Sequence, residues 1–427
     1  MHLSSEQQAL LDGAKGPTLQ KVMKTLIAYG ELFGATELVP ITSDYHHFVT
    51  SFGLKALTPI YELLDELIKA GETSKAKFTV DPRPYDKEVP ASLLQKLVFK
   101  KFMYTKQEDY ERQLEDLGLL SDDAYTCTSY LEEVGNIPKQ GDILSWSESS
   151  AVVYANSVLG ARCNRNSGIL DLMGAVAGYV PKYGLLTDEG RKATWVVEVK
   201  TTKKPEAQLL GSAIGMKVIE DVPYIKGLDQ WLGDSLTDEA TSYLKDFGAA
   251  TASNGAVGLY HVENLTPEAK ELGEKLLAED VKTYVIDDKE LERVYKEYPI
   301  MWKKEESKPK LCFIGCPHLS LYQLEDWTKK IREKLATTGH NKVPVPTVFT
   351  AAPKVIEAFK ESPDYLFFKD LGITLSYICP LMYMNNPLCA KMNVITSSNK
   401  LRTYTTARYY TDGEILSIIT GGPNERV

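Results

Sequence analysis

Six cysteines stand far apart in this chain, and two of them precede a proline. Cys316 lies in Gly315-Cys316-Pro317-His318 and Cys379 in Ile378-Cys379-Pro380, while Cys127 lies upstream in Thr126-Cys127-Thr128-Ser129-Tyr130. A proline after a thiolate fixes the backbone and removes one donor, a common way to aim sulfur at iron. Three such thiolates would leave one iron corner of a cluster open to substrate. Taken singly, each cysteine is more often a buried small hydrophobe than a ligand. The prolines and the shared placement after predicted strands balance the two readings for Cys316 and Cys379, but not for Cys127. Cys312 and Cys389 read as core or surface thiols. No C-x-x-C or H-E-x-x-H pair occurs, so a standard zinc site is unsupported. Cysteines this sparse do not make a disulfide framework.

The segment Ser145 to Arg165 carries the densest polar chemistry. Ser149 or Ser150 is placed to cap a helix running through Leu159. The loop after it presents Arg162, Cys163, Asn164 and Arg165. Two arginines suit a carboxylate or phosphate, against the competing reading of salt bridges to Asp171 or Glu148. Asn156, Ser157 and Asn164 favour a ligand, because so polar a loop is costly to bury unpaired. His318 is a candidate to polarise substrate or to hydrogen-bond a cluster sulfur; a purely structural histidine is the alternative. Ser43 and the pair His46-His47 follow a strand, and one of the two histidines is expected to face the cleft.

The elements that must position these groups read as α/β. Pro17 opens a helix whose apolar residues recur from Leu19 to Phe33, and Gly34 stops it. Strands are expected at Glu37–Ile41 and Lys77–Val80, with helices over 57–69 and 106–120. Thr194–Lys200 reads as a buried strand. The glycine-spaced residues 210–217 read as a closely packed helix rather than a nucleotide loop. Ser253-Asn254-Gly255-Ala256 reads as a polar turn before a strand. Residues 266–306 read as a charged helix-turn-helix bridging two lobes. From Pro309 strands are expected at Leu311–Ile314, Thr347–Thr350, Thr374–Ile378 and Val394–Thr396. Ends of strands are where open α/β sheets place ligands.

A chain of 427 residues exceeds one ordinary core. The expected divisions are 1–125, 126–305 and 306–427. The net charge of −9 and the lack of a dense basic cluster argue against a nucleic-acid partner. No apolar run is long enough to span a membrane, and the N-terminus lacks the pattern of a signal peptide. A cytoplasmic protein is expected.

Together these segments resemble the aconitase X family, in particular its large, catalytic subunit. The most specific stretch is S-E-S-S-A-V-V-Y-A-N-S-V-L-G-A-R-C-N-R. Val39-Pro40-Ile41-Thr42-Ser43, Ser253-Asn254-Gly255-Ala256-Val257, Thr266-Pro267-Glu268-Ala269, Gly315-Cys316-Pro317-His318 and Cys379-Pro380 support it. The resemblance implies an aconitase-like fold: three-layer α/β/α domains around a central cleft. It implies an iron–sulfur cluster, with 4Fe–4S favoured and 2Fe–2S as the alternative, held by Cys127, Cys316 and Cys379. It implies dehydration of a β-hydroxy acid, with His318 and Lys400 as catalytic groups and Ser43, His46, Ser149, Asn156, Arg162, Cys163, Asn164, Arg165, Ser253 and Ser398 around substrate.

Aconitase-like enzymes take their catalytic base, a serine, from a small swivelling domain. Only a short tail follows Lys400, so a separate small subunit carrying that serine is expected, with this chain inactive alone. Family members act on mevalonate 5-phosphate or on cis-3-hydroxy-L-proline. Asn164-Arg165 and the two arginines lean toward the phosphorylated substrate. A dehydratase for another hydroxy acid and a non-catalytic iron or redox sensor are the further alternatives. Two departures bear on substrate: Cys163 stands where the family usually has threonine, and Thr403 where it usually has histidine.

Overall fold

A computed structural model describes residues 1–422. The chain is mixed α/β, as expected, and its two larger sheets are wholly parallel. The larger has five strands in the spatial order Thr374–Ser376, Thr347–Ala351, Leu311–Leu319, Val394–Thr396, Arg408–Tyr409. The first of these in sequence, Leu311–Leu319, lies in the middle. The chain leaves it toward one edge and later returns to its other side. That reversal between Leu311–Leu319 and Val394–Thr396 is a topological switch point, where the crossovers part and leave a crevice at the carboxyl ends of the strands.

The second sheet orders His261–Val262, Pro223–Lys226, Ala193–Val199 and Leu277–Ile286, again parallel and again reversing beside its first strand. The helix Ala207–Val218 packs on the helix Asp238–Asn254 at backbone distance: a Cβ on Gly211 would stand 2.3 Å from the Phe247 carbonyl oxygen. The glycine spacing there is therefore helix packing. Smaller pairs join Leu38–Pro40 to Tyr179–Pro181 antiparallel and His46–Phe48 to Phe78–Val80 in parallel.

Three expectations are corrected. Residues 266–306 are not a helical hairpin: they hold the strand Leu277–Ile286 between helices Pro267–Leu272 and Asp288–Lys296. Much of that strand is exposed at a sheet edge, so its pattern of charge mimics a solvated helix. Ser253 and Asn254 are not in a turn but in the last turn of helix Asp238–Asn254. Glu148, rather than Ser149 or Ser150, caps helix Ser149–Ser157, its carboxylate accepting the Ser150 N–H at 3.3 Å. Among the described residues no helix is long and apolar enough to cross a membrane.

Candidate active site

Cys127, Cys316 and Cys379 line one cavity of about 230 Å³, together with Val49, Phe52, Pro82, Ser147, Glu148, Ser149, His318 and Lys400. The topology explains the convergence. Cys316 lies near the carboxyl end of the central strand, Cys379 just after an edge strand of the same sheet, and Lys400 after the strand on the other side of the switch point. Cys127 arrives from the N-terminal half, on a loop whose Thr126 N–H bonds the Val80 carbonyl. All six cysteines are free.

The thiols are held by short local contacts. Gly315 has φ +108°, and a Cβ there would stand 2.3 Å from the Thr350 carbonyl oxygen, so only glycine lets the strand turn its cysteine outward. Ser398 donates to the Cys316 carbonyl and accepts the Leu401 N–H at 3.1 Å, tying the thiol strand to the cap of helix Asn399–Tyr404. The Cys379 N–H donates to the Arg83 carbonyl at 2.9 Å. The His318 N–H donates to the Cys127 sulfur at 3.3 Å. Its ring bridges the Thr126 hydroxyl (3.2 Å) and the Ile378 carbonyl (3.1 Å), the residues before Cys127 and Cys379. The carbonyl can only accept, so Nε2 carries the proton. Burial lowers the His318 pKa to about 4, which keeps the ring neutral.

Beside the thiols lies a buried ion pair, Lys400 with Glu148, reinforced by the Ser150 hydroxyl 2.8 Å from the carboxylate. Burial is the largest single influence on each group and works against its charge, but the partner's charge, the hydrogen bonds and the neighbouring groups together outweigh it: Lys400 is pushed up and Glu148 down. Burial raises the Cys127 thiol to about 12 and also lifts Cys316 and Cys379, with Lys400 pulling all three back. Glu148 is the residue the motif reading passed over as a salt-bridge partner. Its signal was an acid directly before an almost wholly buried helix.

The other sequence candidates separate into groups. Ser149 lines the cavity. Arg165 makes no ion pair among the described residues, only a 3.4 Å contact with the Ala252 carbonyl, and feels the charges of Tyr404 and Glu148. Asn156 is spent as a clamp: it donates to the Cys163 and Gly258 carbonyls and accepts the Cys163 N–H. Asn164 clamps Tyr183 and Leu185 in the same way. Cys163 is buried in the core, its thiol directed to the Trp146 and Asn164 carbonyls. Arg162 pairs with Asp188, neither of the acids considered from sequence. Ser43 donates to the Tyr45 carbonyl, and Ser253 to the Ala249 carbonyl one helical turn back. His46 stacks on Phe48, whereas His47, on the opposite face of the strand, is the histidine that feels Glu148 and Lys400.

Among the described residues no three His, Cys, Asp or Glu side chains meet closely enough to hold a single metal ion. A polynuclear cluster makes a different demand, because each thiolate binds a separate iron and the sulfurs need only surround a common volume. Three thiols on one cavity, with a lysine to offset their charge, fit that demand. Burial keeps the three thiols protonated, so a cluster held by them would have to displace those protons on binding.

Comparison with known proteins gives the same direction. The family model for the aconitase X first domain matches residues 1–189, and that for the second domain residues 193–296. The chain is 34% identical over 373 residues to a phosphomevalonate dehydratase large subunit from Thermococcus kodakarensis, covering 86% of this chain and 84% of that one. The large subunit from Methanocaldococcus jannaschii is 32% identical, covering 78% of each. A cis-3-hydroxy-L-proline dehydratase from Hypocrea jecorina is 29% identical over 81% of this chain and 55% of its own length. The crystal structure of Thermococcus kodakaraensis aconitase X in its holo-form superposes with a TM-score of 0.80 at 28% identity, over 99% of this chain and 100% of that one. This chain belongs to the aconitase X family.

Proposed function

We propose that this chain is the cluster-bearing large subunit of a hydro-lyase that dehydrates 5-phosphomevalonate. The observation that carries it is the union of Cys127, Cys316 and Cys379 on one cavity with the Lys400–Glu148 pair. The substrate rests on five relatives named phosphomevalonate dehydratase large subunit, 31% to 34% identical. The relatives named for hydroxyproline are 29% and 30% identical, with lower coverage of their own length.

An iron–sulfur cluster would be held by the three thiols, and when bound it supplies a Lewis acid toward a substrate hydroxyl and carboxylate. Lys400 sets a fixed positive charge at the cavity wall, offsetting thiolate charge and attracting an anionic substrate. Glu148 holds that cation in place. His318, with both nitrogens engaged, positions the two cysteine loops rather than moving a proton. Arg165, without a carboxylate partner, is the proposed anchor for the phosphate. The α-proton is removed by a serine on a separate small subunit that closes over the cavity; the relatives' designation as large subunits supports such a partner.

The test is turnover of the chain, loaded with cluster anaerobically and mixed with a small subunit. 5-Phosphomevalonate and cis-3-hydroxy-L-proline are each offered, and loss of water is read by mass. Turnover of the phosphorylated substrate alone is expected. Turnover of the hydroxyproline would overturn the substrate, and no turnover with cluster intact would return the sensor or another hydroxy acid.

A further inference from the structure

The short helix Leu93–Val98 and the π-helical turn Phe99–Met103 that continues it are turned inside out. Their buried positions hold Gln95 and Phe99, while Leu93 is 89% exposed, Leu94 58%, Leu97 48% and Phe102 65%. Gln95 is satisfied inside: its carbonyl accepts from Asn386, and its side chain closes the capping box with Ser92. An amphipathic helix normally buries its leucines. A contiguous apolar face left outward marks a surface that another molecule covers.

Two observations say what covers it. First, the segment is the outside of the cavity wall. Tyr104 donates to the Met382 carbonyl at 2.8 Å and Tyr383 to the Pro90 carbonyl at 2.6 Å. Phe99 and Tyr104 share a buried cluster with Cys316 and Tyr383. Leu381 and Met382, packed on that cluster, line the cavity from within. Second, the patch is basic in an acidic chain. Lys87, Lys96, Lys100, Lys101 and Lys106 lie in or beside the segment, Lys87 near Glu88 and Lys106 paired with Asp109, against a net charge of −9 for the whole.

We infer that the face formed by Leu93, Leu94, Leu97 and Phe102 is the docking surface for the small subunit, which meets it with an apolar patch rimmed by acidic side chains. This rests on the proposed need for a second subunit over the cavity. The apolar centre supplies the affinity and the lysines speed and orient the encounter.

The experiment measures binding of a purified phosphomevalonate dehydratase small subunit to the cluster-loaded chain by calorimetry. Leu94→Glu and Phe102→Glu are compared with wild type, and Leu272→Glu serves as an exposed apolar control on another face. Both patch variants are expected to bind about tenfold more weakly or worse with iron content and melting temperature unchanged, while the control binds normally. Lys100→Glu with Lys101→Glu is expected to slow association and flatten its salt dependence. Equal binding by wild type and both patch variants overturns the surface while leaving the two-subunit reading intact. No binding by wild type overturns both. Leucine-dependent sedimentation with phosphatidylglycerol vesicles, or leucine-dependent self-association without small-subunit binding, replaces the partner with a membrane or a second copy.

Discussion

Lys400 and Glu148 keep only 9% and 10% of their side chains in contact with water. Removing one charge of such a pair strands the other, so Lys400→Met is expected to destabilise the chain by roughly 3–5 kcal/mol. Lys400→Met with Glu148→Gln should recover most of that loss in a denaturant melt, though not activity. If the single and double variants melt alike, the pair is not coupled. The thiols give a sharper test. Cys127→Ser, Cys316→Ser and Cys379→Ser should each bleach the cluster's visible absorption, whereas Cys163→Ser, its thiol bonded to two carbonyls in the core, should retain it. Loss with Cys163→Ser and not with Cys127→Ser would reassign the third ligand. Cys316 and Cys379 stood out as candidates in the sequence because proline marked them, whereas Cys127 entered only through the family resemblance. Glu148 was not recognised as a site group, because an acid reveals its partner only in space.

At the scale of elements, the central strand Leu311–Leu319 does the positioning, and Gly315 is its constraint. Gly315→Ala places a Cβ against the Thr350 carbonyl in a left-handed backbone, at a cost of about 1–3 kcal/mol if the strand yields. Cluster content should fall with it, since Cys316 follows directly; a variant with full iron content and unchanged stability would contradict the strand's role. Helices were read well where the apolar period is clear, as in Pro17–Leu32 and Thr58–Lys69. The exposed strand Leu277–Ile286 was misread because charge on a sheet edge has no helical counter-signal in a single sequence. His46 against His47 could not be chosen from spacing, because a strand sends adjacent residues to opposite faces and only register says which face is which.

Across the whole molecule, a surface cleft of about 440 Å³ joins the second sheet's helices to the C-terminal helix Asp412–Ile419. Glu206 faces Asp412 there, and burial first, then that facing carboxylate, raise Glu206 to about 8. A carboxyl whose folded pKa exceeds its unfolded one binds more protons in the folded state, so stability falls as pH rises between the two values. The melting temperature is therefore expected to drop from pH 5 toward pH 8, with Glu206→Gln reducing that slope and gaining stability at the upper end. A slope unchanged by Glu206→Gln would remove this carboxyl as its source.

The sequence by itself determined the α/β class, most helix positions, the two proline-marked cysteines as candidates and, through its motifs, the family, because propensity, capping and motif spacing are local properties. Only the tertiary structure decided that Cys127 meets Cys316 and Cys379, that Lys400 faces Glu148, and that Arg162 and Asn156 serve the loop rather than the cavity. Those pairings depend on the order in which parallel strands lie beside one another. The reversal at Leu311–Leu319 sets Lys400 opposite Cys379, and the N-terminal half adds Val49 and Cys127 to the same cavity, residues that lie hundreds of positions apart in the sequence.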